Sequence, residues 1–397
     1  MGLEVVQLVN GKDGYVSLWH GSIAGSNREI GAAVARWGAK QLDAAPCPCA
    51  DGFGPRAQRR FLKRHYPAYY ERVRGVVEAF GLPDEGAGHD VASIWFDVGR
   101  QACSAAFVPR CLTADGHGRV LRNMDLGVDL TGDDPHPPSS RILALDMDPQ
   151  GTYASLSLVT FDLMGAMDGV NEKGLVVVCN SHRDCSLGTR HMFEPVPRPE
   201  AGLNELQVVR YLLDMCADVP EAKEALLSHR TYYRFTPCLY LIADAAGRSA
   251  VYERSPSGNR ILFTETSEAR NLVTNFAPSR FVDTSPLPED DGIEQGYVYR
   301  RYRLIDDALA ASADLTEGGL QAIAHSASFD ALPDGEGSDP LRPSRTLWSG
   351  VYDIDARRLR MTVYAGERDG QPMRSEPVTL ALGQKPPHAM RPDTGSP

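Results

Sequence analysis

Between Gln101 and Ser181 five strand-like segments follow one another with no helical period among them. They read Q-A-C-S-A-A-F-V, R-V-L-R-N-M-D-L, R-I-L-A-L-D-M, Y-A-S-L-S-L-V-T-F and G-L-V-V-V-C-N-S, rich in β-branched and alternating apolar residues. Parallel strands need a long crossover, usually a helix, between each pair. This block has none, so an alternating βαβ sheet is excluded. The first two segments are joined by Asp115-Gly116-His117-Gly118 and read as a hairpin. Asp168 to Gly174 reads as a tight connection between two of the others.

Helical signals gather in separate blocks. Ser26 and Glu29 have capping-box spacing for a helix through about Trp37, with Gly38 placed to end it. Residues 44–54 read as a loop, and Tyr69 to Phe80 as a second helix closed by Gly81. Residues 3–20 read as strand, turn and strand. Leu203 to Asp214 carries one apolar face, and Asp218 with Glu221 opens a further helix that tolerates Pro220 in its first turn. Tyr297 to Ala311 and Leu315 to Ala327 are helical. Strands return at C-L-Y-L-I-A-D, R-S-A-V-Y-E-R and R-N-L-V-T-N, and in a closing hairpin of T-L-W-S-G-V-Y-D-I-D and R-L-R-M-T-V-Y-A. Strands in blocks and helices in blocks place the chain in the α+β class.

With 397 residues, 42% of them hydrophobic, the chain can bury a sizeable core. Its net charge of −11 argues against nucleic-acid and anionic-membrane partners. The start, M-G-L-E-V-V-Q-L-V-N-G, has no basic region or long apolar run, so no signal peptide is expected and the expected location is cytoplasmic. The 8 cysteines are then expected as free thiols. Cys47-Pro48-Cys49 is too tight for a zinc pair, no histidine cluster has metal spacing, and no cofactor is expected. The Pro-rich tail, 385–397, is expected to be disordered.

The hairpin carries the chemistry. Cys103 lies near the start of its first strand, and Arg122, Asn123 and Asp125 near the end of the second. Folding one onto the other brings a thiol, a guanidinium and a carboxylate to one sheet edge. A thiol needs a base to react near neutral pH. An α-amine titrates at about 7.7–8.0 and can serve. Two readings follow: Cys103 is a half-buried core cysteine, or it is a nucleophile freed as a new N-terminus by cleavage after Ala102. A papain-like pairing with His182 or His325 is a third arrangement of the same thiol.

Several separated motifs favour the nucleophile reading. C-S-A-A-F with G-R-V-L-R-N-M-D, D-G-V-N-E-K-G-L with V-V-V-C-N, L-V-T-N-F, and T-L-W-S-G-V-Y-D occur in order from about Ala102 to Asp353. In this the chain resembles the penicillin acyltransferase-like branch of the N-terminal nucleophile hydrolases, related to the choloylglycine hydrolases. The resemblance implies a four-layer αββα sandwich and a precursor that cuts itself between Ala102 and Cys103. Residues 1–102 would be a largely helical α chain and 103–384 the core β chain, the two staying associated. It implies Cys103 as nucleophile, Asp125 as the carboxylate holding the new amine, and Arg122 beside them. Asn275 would help build an oxyanion hole, Asn180 would be a further active-site asparagine, and Arg345 an arginine near the thiol. One departure is Ala102, where the fungal penicillin enzymes have glycine. The implied activity is acyl transfer or hydrolysis on a small-molecule amide or thioester, with coenzyme A or a carrier thioester as candidate donor by analogy. A papain-like thiol protease using Cys103 with His182 or His325, and a non-catalytic binding protein on the same fold, are the alternatives. Oligomeric state is left open.

Overall fold

The computed structural model describes residues 2–11, 15–49, 52–96, 101–129, 131, 140–182, 200–234, 236–254, 260–281, 287–288, 297–312, 315–332, 341 and 343–386. In chain order the elements are β1 (Glu4–Val9), β2 (Ser17–Gly25), α1 (Asn27–Leu42), β3 (Cys47–Pro48), α2 (Phe53–His65), α3 (Pro67–Ala79), β4 (His89–Asp90), β5 (Gln101–Val108) and β6 (Arg119–Gly127). Then come β7 (Arg141–Pro149), β8 (Ser155–Val159), β9 (Asp168–Asn171), β10 (Val176–Ser181), α4 (Glu205–Met215), α5 (Val219–Ser228), β11 (Cys238–Ala243), β12 (Arg248–Arg254), β13 (Ile261–Ser267) and β14 (Asn271–Val273). The chain ends with α6 (Val298–Ala311), α7 (Glu317–Ser326), β15 (Ser344–Asp353), β16 (Arg358–Arg368), β17 (Gln371–Arg374) and β18 (Val378–Ala381).

Two large sheets form. One runs β1-β2-β7-β8-β9-β10-β11-β12-β13, and the other β14-β5-β6-β15-β16-β17 with β18 also on β16. Neighbours are antiparallel except β2 and β7, which pair in parallel from Ser17↔Arg141 to Gly25↔Pro149. The sheets face each other through β5, β10 and β11. Helices α1, α4 and α5 cover the outside of the first sheet, and α6 and α7 the outside of the second. The result is the αββα sandwich.

The alternation along β5 makes the layering explicit. Cys103, Ala105 and Phe107 join the core between the sheets. Ala106 and Val108 point the other way, into a separate cluster with Ile305 and Leu309 of α6 and Leu320 and Ile323 of α7. Ala102, on that same outer side, packs against Tyr297, Phe329 and Leu332.

Several expectations are met and several corrected. Ser26 caps α1 with both bonds of the capping box, and Asp218 caps α5. Helix α1, however, runs through Gly38 to Leu42 and closes on Asp43 in the left-handed region. Gly38 is instead a packing position, because a Cβ there would lie 2.2 Å from Leu163 Cδ2. Asp168 to Asn171 is strand β9, so the tight turn is only Glu172 to Gly174, with Gly174 at φ +80°. Asn171 Oδ1 shapes that turn by accepting from the N–H groups of Lys173 and Leu175. Helix α2 begins at Phe53, inside the stretch read as loop. The first hundred residues are mostly helical as expected, and the two strands read in residues 3–20 are β1 and β2 of the first sheet, β2 running on to Gly25. The turn at 12–14 and tail residues 387–397 lie outside the described residues. The seven described cysteines are all free thiols. Among the described residues no helix is long and apolar enough to cross a membrane.

Candidate active site

Cys103 is fully buried on β5, with its Sγ 3.4 Å from Met124 Sδ on β6. Cys103 pairs with Met124, so Arg122, two residues earlier on β6, projects onto the same inner face. Arg122 is buried and fully engaged. Its Nε donates to Asp168 Oδ2 at 3.1 Å, Nη1 to Asn180 Oδ1 at 3.0 Å, and Nη2 to the Cys179 carbonyl at 3.0 Å. Asp168 also accepts from the Tyr352 hydroxyl. A buried guanidinium without a matched carboxylate would be costly, and Asp168 supplies the match.

The backbone of Cys103 is held as closely as its side chain. Its N–H donates to Asn275 Oδ1 at 2.9 Å, and its carbonyl accepts from Arg301 Nη1 at 2.7 Å. Arg301, on α6, also donates through Nη2 to Asn275 Oδ1 at 2.6 Å and through Nη1 to Asp125 Oδ2 at 3.2 Å. Asp125 lies on the outer face of β6, where the Thr346 hydroxyl donates to its Oδ1. That hydroxyl accepts from the Phe329 N–H at 2.9 Å, so the carboxylate is fixed from both oxygens.

Electrostatics follow from burial. The Cys103 thiol is pushed up by burial, opposed by Arg122 and reinforced by Asp125. Burial also raises Asp125 to about 6, against the pull of Arg301 and the Thr346 hydrogen bond. Arg122 itself is raised: burial works against its charge, but Cys103 and Asp168 outweigh it. A neighbouring cation of this kind favours thiolate over thiol once the sulfur is wetted.

Of the residues singled out in the sequence, Cys103, Arg122, Asp125, Asn180 and Asn275 meet around one strand end, with Ala102 adjoining. Arg345 is held elsewhere: its Nε bonds Glu367 at 2.8 Å, and the arginine that reaches the Cys103 backbone is Arg301. The asparagines also act differently from expectation. Asn275 presents its oxygen to Cys103, while its Nδ2 donates to the Ser181 carbonyl and hydroxyl. Asn180 Nδ2 donates to the carbonyls of Val273 and Thr274. Both amide nitrogens are therefore engaged by protein, so in this conformation neither is an oxyanion donor. His325 is exposed at the last turn of α7. His182 is buried, with its backbone N–H on the Pro237 carbonyl. The groups acting most strongly on the thiol are Arg122, Asp125 and Cys179 rather than a histidine.

Arg301 was missed in the sequence, yet a signal existed. Val298, Arg301, Ile305 and Leu309 recur at three- and four-residue spacing, which puts a cation on the buried stripe of α6. Far from the thiol, Asp115, His117 and Asp353 converge at the other end of the hairpin. Arg119 pairs with both carboxylates and Arg358 with Asp353, so this cluster is neutralised by arginines rather than shaped for a cation.

No curated protein sequence matches the chain. Among solved structures, a penicillin V acylase from Agrobacterium tumefaciens is 15% identical, covering 66% of this chain and 82% of that one, with a TM-score of 0.42. A mutant of conjugated bile acid hydrolase from Clostridium perfringens is 13% identical, covering 72% and 93%, with a TM-score of 0.44. An N-acylethanolamine-hydrolyzing acid amidase ortholog from Caenorhabditis elegans is 16% identical, covering 64% and 93%, with a TM-score of 0.36. The sequence model of the acyl-coenzyme A:6-aminopenicillanic acid acyl-transferase family matches residues 115–368, well over half of the chain. With two facing sheets between helical layers, this chain belongs to that acyl-transferase family.

Proposed function

We propose that the chain is a self-cleaving cysteine enzyme that transfers or hydrolyses an acyl group through a thioester on Cys103. The observation that carries the reading is the seat of the Cys103 nitrogen. A main-chain N–H within a strand usually bonds another strand's carbonyl. Here it points at Asn275 Oδ1, with Arg301 and Asp125 linked behind it. That is a prepared site for a group that changes from amide to amine.

The steps balance. Cys103 Sγ adds to the Ala102 carbonyl, the C–N bond breaks, and the nitrogen leaves as the α-amine with the thiol proton. Water then opens the thioester, leaving Ala102 as a carboxylate and Cys103 as a thiol. The freed amine takes the thiol proton when a substrate amide or thioester binds. The substrate carbonyl is attacked, its amine or thiol leaves with that proton, and water or an acceptor amine removes the acyl group. Arg122 stabilises the thiolate; Asp125, through Arg301, holds the amine side of the site. A coenzyme A or carrier thioester fits as acyl donor, with a small-molecule acceptor.

A denaturing gel with N-terminal sequencing tests this. Wild-type protein is expected as fragments 1–102 and 103–397, the larger beginning C-S-A-A-F. Cys103→Ala is expected as one intact band. Active enzyme that stays intact, or activity surviving in Cys103→Ala, would overturn the reading.

A further inference from the structure

We infer that Thr346 is a positioning residue for the Cys103 site: its hydroxyl holds Asp125 as the carboxylate that Arg301 binds. This rests on the role given to Asp125 above. Strand β15 carries one extra residue at this point. Thr346 stands opposite Asp125 and Trp348 opposite Met124, so two residues of β6 face three of β15. An extra residue in one strand of an antiparallel pair is a bulge, and it re-aims the side chains beside it. In an unbroken strand Thr346 and Trp348 would share a face. Here Leu347 and Trp348 both join the core between the sheets, where the Arg122 guanidinium lies 5.9 Å from the Trp348 ring centroid. Thr346 is left on the outer side with Asp125. The bulge thus lets one strand serve both charged groups.

Hydrogen bonding sets the polarity of the contact. The Phe329 N–H donates to Thr346 Oγ1 at 2.9 Å, which uses an acceptor site of the hydroxyl. The hydroxyl proton is then directed to Asp125 Oδ1. A carboxylate only accepts, so this bond favours the ionised form. The backbone of Thr346 is pinned as well. Its N–H donates to Asp330 Oδ1 at 3.2 Å, and its carbonyl accepts from Arg374 Nη1, which also pairs with Asp330. The groups that act on Asp125 are Arg301 from α6, Arg122 on β6 itself, Arg374 from β17, Asp330 after α7 and the Cys103 thiol on β5. Burial and Asp330 work against its charge; Arg301, Thr346 and Arg122 favour it. Replacing Thr346 with another neutral side chain leaves every one of those charges in place.

The test reads the pH-difference infrared band of the protonated Asp125 carboxyl, assigned by its loss in Asp125→Asn. It needs no substrate and is read on cut or uncut chain alike. In wild type the band should grow as pH falls through about 6. Thr346→Val removes the donor, so the carboxyl keeps its proton to higher pH and the midpoint should rise by about one pH unit or more. Thr346→Ser keeps the hydroxyl and should titrate as wild type. Thr346→Ala removes the same donor and decides the matter if the valine variant does not fold. In enzyme that turns over hexanoyl-N-acetylcysteamine, the acid limb of kcat/KM should rise with the infrared midpoint. A midpoint unmoved without the hydroxyl, or moved equally in Thr346→Ser, would overturn the role of Thr346. A limb that stays put while the midpoint moves would overturn its link to catalysis. A denaturing gel of the same samples judges cleavage separately: an active chain that stays intact ends that reading, while the infrared midpoints still decide for or against Thr346.

Discussion

Arg301 ties the Cys103 carbonyl, Asn275 and Asp125 together with one planar guanidinium. A lysine is a point charge and cannot satisfy three acceptors set apart in this way. Arg301→Lys should therefore slow fragment formation by about 10²-fold or more, the scale seen when a preorganised polar contact at a reacting centre is lost. Arg345→Gln should change the same rate by no more than severalfold, because Arg345 serves Glu367. Time courses on denaturing gels separate the two. Asp125 gives a second expectation. Burial holds it at about 6, above an ordinary carboxylate, so it gains a proton and loses its negative charge as pH falls through that value. Turnover of wild-type enzyme should fall along an acid limb centred near 6, and Asp125→Asn should be slow with that limb gone; a pH–rate profile reads both. Most of the candidate site was legible because Cys103, Arg122, Asp125, Asn180 and Asn275 lie in short motifs at strand ends, where folding a hairpin already fixes neighbours. Arg301 reaches Cys103 across 198 residues of sequence, from a helix whose docking no local pattern states.

Helices were legible where their ends are written in side chains. Ser26 and Asp218 announced α1 and α5, since a cap is a contact between residues three apart. Helix α2 has Gly52 at its N-cap with no side-chain bond, and few apolar residues. What seats it is tertiary: Gln58 donates to the Gly202 carbonyl and accepts from the Gly202 N–H. Glycines misled for the same reason. Gly38 looked like a stop, yet in α1, as with Gly31, the missing Cβ serves contact. A Cβ on Gly31 would lie 2.1 Å from the Arg72 carbonyl oxygen, and one on Gly75 of α3 would lie 2.0 Å from that of Arg28. The two helices approach backbone to backbone. Gly75→Ala should therefore destabilise by about 1–3 kcal/mol, the range for forcing atoms into a filled core. Gly318→Ala, at an exposed position of α7 with open space around it, should be neutral or stabilise by up to about 1 kcal/mol. Urea denaturation of the two variants beside wild type checks both signs.

At the scale of the molecule, the proposed cut after Ala102 would sever the chain but not the structure. Strand β2 lies inside the first sheet, bonded to β1 on one side and to β7 over nine residue pairs on the other. Helix α3 sends Arg72 to Asp214 of α4 at 2.6 Å, both fully buried, and Tyr66 bonds the same carboxylate. Just upstream of the cut, Asp90 pairs with Arg234, again buried. Leaving one partner of a buried ion pair unmatched costs about 3–5 kcal/mol, and separation of the fragments would expose two such pairs and a sheet edge at once. The fragments 1–102 and 103–397 are therefore expected to elute as one species from a sizing column in native buffer and to part only in denaturant. Both should unfold in a single transition, because the first sheet is complete only when β1 and β2 of the short fragment join β7 of the long one. Asp214→Asn should lower the midpoint of that transition without splitting it. A short fragment that washes away in native buffer would mean that these buried contacts do not hold the cut molecule together, and sizing followed by a denaturing gel of each fraction reads the result directly.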